Sequence, residues 1–220
     1  MTPAPPDTPR RVLATRNAGW AQALARWLGR VGVRPNAVSI AGVVFALIAS
    51  VAFLVVPETT DGARAVVLMI AAATIQLRLL SNLLDGMLAV EGGFKSATGD
   101  IYNDLPDRVA DVFILVGAGY SARDLACGPA LGWAAAVLAV FTAYVRVLGG
   151  SLRVTQHFIG PMAKQHRMFT LTVGTLLAAV EALAARQPRA IAIALGVIVA
   201  GSIVTIVRRT SRIAGEVSAR

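Results

Sequence analysis

Six of the chain's 12 acidic residues fall within 27 positions: Asp85, Glu91, Asp100, Asp104, Asp107 and Asp111. With Asn82 and Asn103 they place a dense set of oxygen donors inside an otherwise oily sequence. A charge held at bilayer depth costs about 3 kcal/mol or more, so such groups are rare and mark function. In a helix opening near Gly99, the side chains of Asp100, Asn103, Asp104 and Asp107 fall within an arc of about 100° at 3.6 residues per turn. Asn82 and Asp85, three positions apart, share a face at the end of the preceding apolar segment. Carboxylates packed this closely repel one another unless a cation joins them. Oxygen-only donors favour a hard ion, Mg²⁺ or Mn²⁺. Gly86, Gly92, Gly93 and Gly99 leave the backbone open to something bulky. An oxygen-ligated cation beside open backbone is what transfer at a diphosphate requires.

A second, basic group lies further along: Arg146, Arg153, Lys164, His166 and Arg167. Membrane anchoring explains Arg153 and Arg167 taken alone. Arg146 sits inside an apolar run, where an arginine usually faces a bundle interior. His157 and His166 lack the spacing of a zinc site and read as solvated loop residues. Asp111 reads as a structural partner of Arg108 or of a bound water. Glu181 reads as lying near the far membrane interface.

The elements that must position these groups are membrane spans. Hydrophobic residues make up 56% of the 220, charged residues 15%, and the mean hydropathy is +0.66. Soluble domains carry about 25% charged residues. Apolar runs predict six spans, at about 37–56, 65–90, 99–121, 129–149, 167–185 and 190–207. Of the 21 basic residues, 14 then fall on the side of both termini: Arg10, Arg11, Arg16, Arg26, Arg30, Arg34, Lys95, Arg153, Lys164, Arg167, Arg208, Arg209, Arg212 and Arg220. That asymmetry places the termini and the acidic cluster in the cytoplasm. The net charge of +9 is thus a topology signal, with anionic lipid rather than nucleic acid as partner. The single Cys127 forms no internal disulfide, and the first residues lack the pattern of a signal peptide.

Residues 1–16, rich in Pro and Arg, read as a loosely ordered arm. The main domain is expected over 17–210, with a cytoplasmic tail at 211–220. Trp20, Leu24, Trp27, Leu28 and Val31 recur at helical spacing, which predicts an amphipathic helix lying in the membrane interface. Trp20, Trp27 and Trp133 read as interfacial anchors. Pro106 is expected to be absorbed as a kink. The fold class is an all-α, polytopic bundle of six transmembrane helices plus the interfacial helix.

The stretch from Asn82 to Asp107 resembles the signature of the CDP-alcohol phosphotransferases, D-x2-D-G-x2-A-R-x8-G-x3-D-x3-D. Asp85, Gly86, Ala89, Gly99 and Asp107 match in type and spacing. Asn82 stands at the first Asp, Val90 at the Arg and Asn103 at the third Asp. Arg34-Pro-Asn-Ala-Val-Ser is similar to the segment that precedes the family's first span. The resemblance covers most of the chain from about residue 17.

The resemblance implies transfer of a substituted phosphate (phosphatidyl) group from a CDP-alcohol such as CDP-diacylglycerol to an acceptor alcohol, releasing CMP. It implies Mg²⁺ or Mn²⁺ held by Asn82, Asp85, Asn103, Asp104 and Asp107, with Asp107 as the base. CDP would lie against Asn82, Asp85, Gly86, Ala89 and Gly99, with Lys95 or Arg78 taking over from the missing arginine. Arg146, Lys164 and Arg167 would receive the phosphate of a phosphorylated acceptor or a headgroup. Asp100 and Asp104 are expected to restore charge lost at the two asparagines. The implied setting is a bacterial inner (plasma) membrane with a cytoplasmic site, membrane lipids around it, and a homodimer among the allowed assemblies. Two other classes stand beside this reading: a catalytically degenerate relative that binds lipid or nucleotide, and a small transporter using the acids as a cation path. A transporter predicts acids spread across the membrane depth, whereas these gather at one end.

Overall fold

The computed structural model describes residues 18–91, 99–154, 157–185 and 189–219. Among the described residues seven α-helices make up the fold: α1 (Gly19–Arg30), α2 (Pro35–Val55), α3 (Asp61–Glu91), α4 (Gly99–Ser121), α5 (Gly128–Ser151), α6 (Lys164–Leu183) and α7 (Arg189–Ser218). Proline sets several boundaries. Pro35 opens α2 and Pro129 lies in the first turn of α5, where a missing N–H costs nothing. Pro106 lies within α4, which continues through it.

Among the described residues, four stretches are long and apolar enough to cross a membrane: Pro35–Glu58, Asp61–Ala89, Gly128–Ser151 and Arg189–Ser218. The expected spans at 99–121 and 167–185 are present as α4, with 23 residues, and α6, with 20. Both are long enough, but their composition is not apolar enough to qualify. Asp104, Asp107, Arg108 and Asp111 load the first half of α4, and α6 carries Lys164, Arg167, Thr170, Thr172 and Thr175. Helical structure also runs beyond the apolar core of the last expected span, from 207 to Ser218. The extension is held by packing: Ile213 is buried with Val145 and Val154, and Arg209 donates to the carbonyls of Thr142 (2.7 Å) and Ile159 (2.9 Å).

Alanines line much of the interior beside larger side chains such as Phe53, Leu68, Ile114 and Leu195, while many bulky apolar side chains face out. Ala46, Ala49, Ala71, Ala118, Ala135 and Ala139 are buried, whereas Ile40, Val51, Leu54, Val66, Met69 and Val137 are exposed. A soluble protein buries its large apolar side chains. Where lipid is the solvent, close helix packing favours small residues inside, and apolar bulk outside costs nothing.

The sequence suggests that α3 folds directly onto α4. Instead α2 packs between them, and α3 and α4 touch at few points. The reason is the small-residue face of α2. A Cβ on Gly42 would stand 3.3 Å from the Cβ of Ser81 on α3, and a Cβ on Gly117 of α4 would stand 2.9 Å from the Cα of Ser50. Helix α6 packs on α3, and α7 closes against α5 and α6. Helix α1 lies on α3, burying Ala21 and Ala25 with Leu84 and Leu88. Its expected apolar face is divided: Leu24 and Leu28 pack inward, while Trp20, Trp27 and Val31 stay exposed.

Candidate active site

Where α2, α3 and α4 converge they enclose a cavity of about 10 Å³, lined by Ser39, Gly42, Arg78, Asn82, Asp85 and Asp107, among others. Asn82 and Asp85 come from one face of α3, and Asp107 from the turn of α4 that follows Pro106. Asp85 is only 5% exposed. Its Oδ2 accepts a 2.8 Å hydrogen bond from Ser39 Oγ, while Oδ1 is buried with no hydrogen-bond partner among the described residues. Ser39 belongs to the Pro-Asn-x-x-Ser segment, so two separated motifs meet through this bond.

Lys164, in the first turn of α6, reaches both neighbours of Asp85. Its Nζ contacts the carboxamide oxygen of Asn82 and Oδ2 of Asp107. On the other side of Asp107, Arg78 Nη2 lies 3.3 Å from Oδ1 and donates to the Asp107 carbonyl at 3.1 Å. The same guanidinium reaches Asp111 Oδ1 at 2.7 Å, and Arg167 Nη2 reaches Asp111 Oδ2 at 3.0 Å. Arg78, Asp111 and Arg167 are each 1% exposed. Asp111 was expected to partner Arg108 or a bound water; the structure pairs it with Arg78 and Arg167. Arg108 reaches the two neighbouring carboxylates, with Nη2 3.4 Å from Asp104 and 3.9 Å from Asp107.

The basic candidates do not form one patch. Lys164 lines up with the cavity residues, Arg167 is locked beneath them, and Arg146 pairs with Asp104 Oδ1 at 2.8 Å and lies over the Phe158 ring. Asp104 is paired with Arg108 and Arg146 and is not among the residues lining the cavity. Gly86 and Ala89 continue α3 past Asp85, and Gly99 opens α4. Lys95 and the glycines at 92 and 93 lie outside the described residues, as do the side chains of Val90, Asp100 and Asn103. His157 lies 2.7 Å from Glu216, and His166 Nδ1 lies 2.8 Å from the Pro161 carbonyl. Glu181 accepts the Ala190 N–H at 3.1 Å, satisfying one of the free donors at the start of α7.

The donor set can be tested against a divalent cation. Among the described residues, no three carboxylate, imidazole or thiol groups gather in one place. What converges is two carboxylates, Asp85 and Asp107, plus the Asn82 amide oxygen. Mg²⁺ retains several waters and commonly binds through one or two carboxylates. The orphaned Asp85 Oδ1 is a buried acceptor awaiting a partner, and a cavity of about 10 Å³ holds about one water-sized body. These residues fit a single hard cation.

No protein-family model matches the chain, and no curated protein sequence matches it. Solved structures do. Phosphatidylinositol phosphate synthase (PgsA1) of Mycobacterium tuberculosis with CDP-DAG bound superposes with a TM-score of 0.73 at 20% identity, over 89% of this chain and 94% of that one. The same enzyme in complex with manganese and citrate gives a TM-score of 0.71 at 20% identity, over 88% of each chain. Its apo form gives 0.66 at 20% identity, over 86% of this chain and 93% of that one. At this identity the likeness establishes the fold. The chain is built on the fold of a phosphatidylinositol phosphate synthase, a CDP-alcohol phosphotransferase, and it carries a signature resembling that family's on the helices that enclose the cavity.

Proposed function

We propose that this chain is an integral membrane transferase that moves a substituted phosphate from a CDP-alcohol, such as CDP-diacylglycerol, to the hydroxyl of an acceptor alcohol and releases CMP. One observation carries the reading. Asn82 and Asp85 at one end of the signature and Asp107 at the other line one cavity on a fold shared with an enzyme whose structure holds CDP-DAG. In the reaction, the acceptor oxygen forms a bond to the phosphorus carrying the alcohol. The bond from that phosphorus to the bridging oxygen breaks, and CMP departs with the electron pair.

Each residue has a part. Asp107 takes the proton of the acceptor hydroxyl, and Arg78 and Lys164 hold its carboxylate in place. Ser39 fixes Asp85 so that its free oxygen faces the diphosphate side. Gly86 and Ala89 of α3, with Gly99 of α4, let the nucleotide approach the backbone. Asn82, Asp85 and Asp107 would hold Mg²⁺ or Mn²⁺, with Asn103 and Asp104 as further donors from α4. When bound, that ion neutralises diphosphate charge and improves CMP as a leaving group. Arg146, half-exposed beside Asp104, is the cation best placed to meet an acceptor phosphate.

In this reading α4 and α6 also cross the bilayer, giving six spans. Their buried charges are tolerated because Arg78, Arg167 and Asp111 pair inside the bundle. The setting is a bacterial inner membrane, with the site and both termini in the cytoplasm and α1 at the interface. A lipid donor and a soluble acceptor can meet there. The test is release of CMP from CDP-diacylglycerol by membranes containing the chain, across a panel of acceptor alcohols.

A further inference from the structure

Two of the three oxygen donors at the cavity already have a cation. Lys164 Nζ contacts Asn82 Oδ1 and Asp107 Oδ2 together, leaving Asp85 Oδ1 as the orphan. The lysine is held there by its surroundings. One turn along α6, Arg167 donates to Asp111 (3.0 Å), Thr142 Oγ1 (3.0 Å) and the Met162 carbonyl (3.1 Å), which pins the first helical turn. Lys164 and Arg167 are three positions apart and so share a face of α6. The type of residue at 82 agrees with this arrangement. A carboxamide accepts from an ammonium without adding negative charge, whereas an aspartate would add the charge that a further metal ion needs.

We propose that the Lys164 ammonium is a tethered cation of this site: it bridges Asn82 and Asp107 as a metal ion would and restricts the site to one divalent ion, anchored on Asp85. The proposal rests on the transferase reading for its meaning, but its test does not. An acceptor-phosphate ligand is the competing role for Lys164, and it would leave metal binding untouched.

The experiment is titration of the purified full chain in detergent with Mn²⁺ at neutral pH, followed by electron paramagnetic resonance. Wild type is expected to take one Mn²⁺ per chain. Lys164→Met should bind Mn²⁺ at least tenfold more tightly or take a second ion, and Lys164→Arg, which keeps the charge, should behave like wild type. Asn82→Asp should admit a second ion, and it decides the matter if Lys164→Met does not fold. Unchanged or weaker Mn²⁺ binding with unchanged stoichiometry in folded Lys164→Met, or in Asn82→Asp where that variant decides, overturns the proposal. CMP release measured alongside separates the two claims. Tighter Mn²⁺ binding in Lys164→Met with no turnover by any chain defeats the transferase reading alone. Turnover by wild type with unaltered Mn²⁺ binding in the variants defeats the tethered cation alone.

Discussion

Arg78 on α3 and Asp111 on α4 form an ion pair 2.7 Å long with both side chains 1% exposed, and Arg167 on α6 completes it from the other side at 3.0 Å. Three helices that α2 and the lipid would otherwise let slide are fixed in register at this point. The site lies directly above, since Arg78 also holds Asp107. Removing one partner of a buried pair leaves an uncompensated charge. Asp111→Ala should therefore lower stability by about 3–5 kcal/mol. Thermal unfolding in detergent measures this, and a midpoint within a degree or two of wild type would show that the triad does not hold the helices together.

Ser39→Ala isolates the link between the two motifs. It removes the 2.8 Å bond to Asp85 without touching the packing of α2. Hydrogen bonds to charged groups contribute about 1.5–3 kcal/mol. If the bond orients Asp85 for the reaction, CMP release should fall by about tenfold or more, beyond the modest drop in the unfolding midpoint that losing one such bond brings. Equal rates would mean that Asp85 is positioned by something else.

The approach of α4 to α2 rests on the absence of a side chain. A Cβ at Gly117 would stand 2.8 Å from Ser50 Oγ and 2.9 Å from its Cα. Overpacking of this kind costs about 1–3 kcal/mol. Gly117→Ala should lower the unfolding midpoint and weaken turnover together, because Asp107 rides on the displaced helix. Gly196→Ala, where nothing lies within 4 Å, is the control that should do neither.

Topology can be read with a natural probe. Cys127 is exposed at the start of α5, and Ser218 is exposed at the end of α7. If six helices cross, these positions lie on opposite sides of the membrane. An impermeant thiol reagent applied outside intact cells should label Cys127 in the wild type and should spare Ser218→Cys in a Cys127→Ser background. Labelling of both from one side would remove the six-span arrangement and the cytoplasmic site.

Which candidate residues share a helical face was legible, because that is a local property. The spacing of Asn82, Asp85, Asp104 and Asp107 fixes which of them share a helical face, whatever the tertiary fold. Their partners were not legible, since partners come from elements distant in sequence. Asp104 and Asp107 fall on the same expected arc, yet Arg146 on α5 pairs with Asp104 while Arg78 and Lys164 hold Asp107. Helical periodicity has no means of showing that division. The role of Ser39 was missed for the same reason, although its Pro-Asn-x-x-Ser setting was a signal that α2 contributes. The expectation for Asp111 was the neighbouring Arg108 or a bound water; burial overrode sequence proximity and selected the two arginines that reach the interior. Hydropathy marks where the apolar run ends rather than where the helix ends, which is why α7 runs past 207 on its packed Ile213.

The central claim is transfer at a CDP-alcohol by the cavity between α2, α3 and α4. Its most direct test uses the purified chain in liposomes containing CDP-diacylglycerol and Mg²⁺, with a panel of acceptor alcohols that includes phosphorylated ones. CMP release should appear with at least one acceptor and require that acceptor. It should stop on addition of EDTA and return with Mg²⁺ or Mn²⁺. It should also fall by at least a hundredfold in Asp85→Asn and in Asp107→Asn, both of which should remain folded. Folded wild-type protein that releases no CMP with any acceptor, or an Asp85→Asn variant that turns over like wild type, would contradict the account.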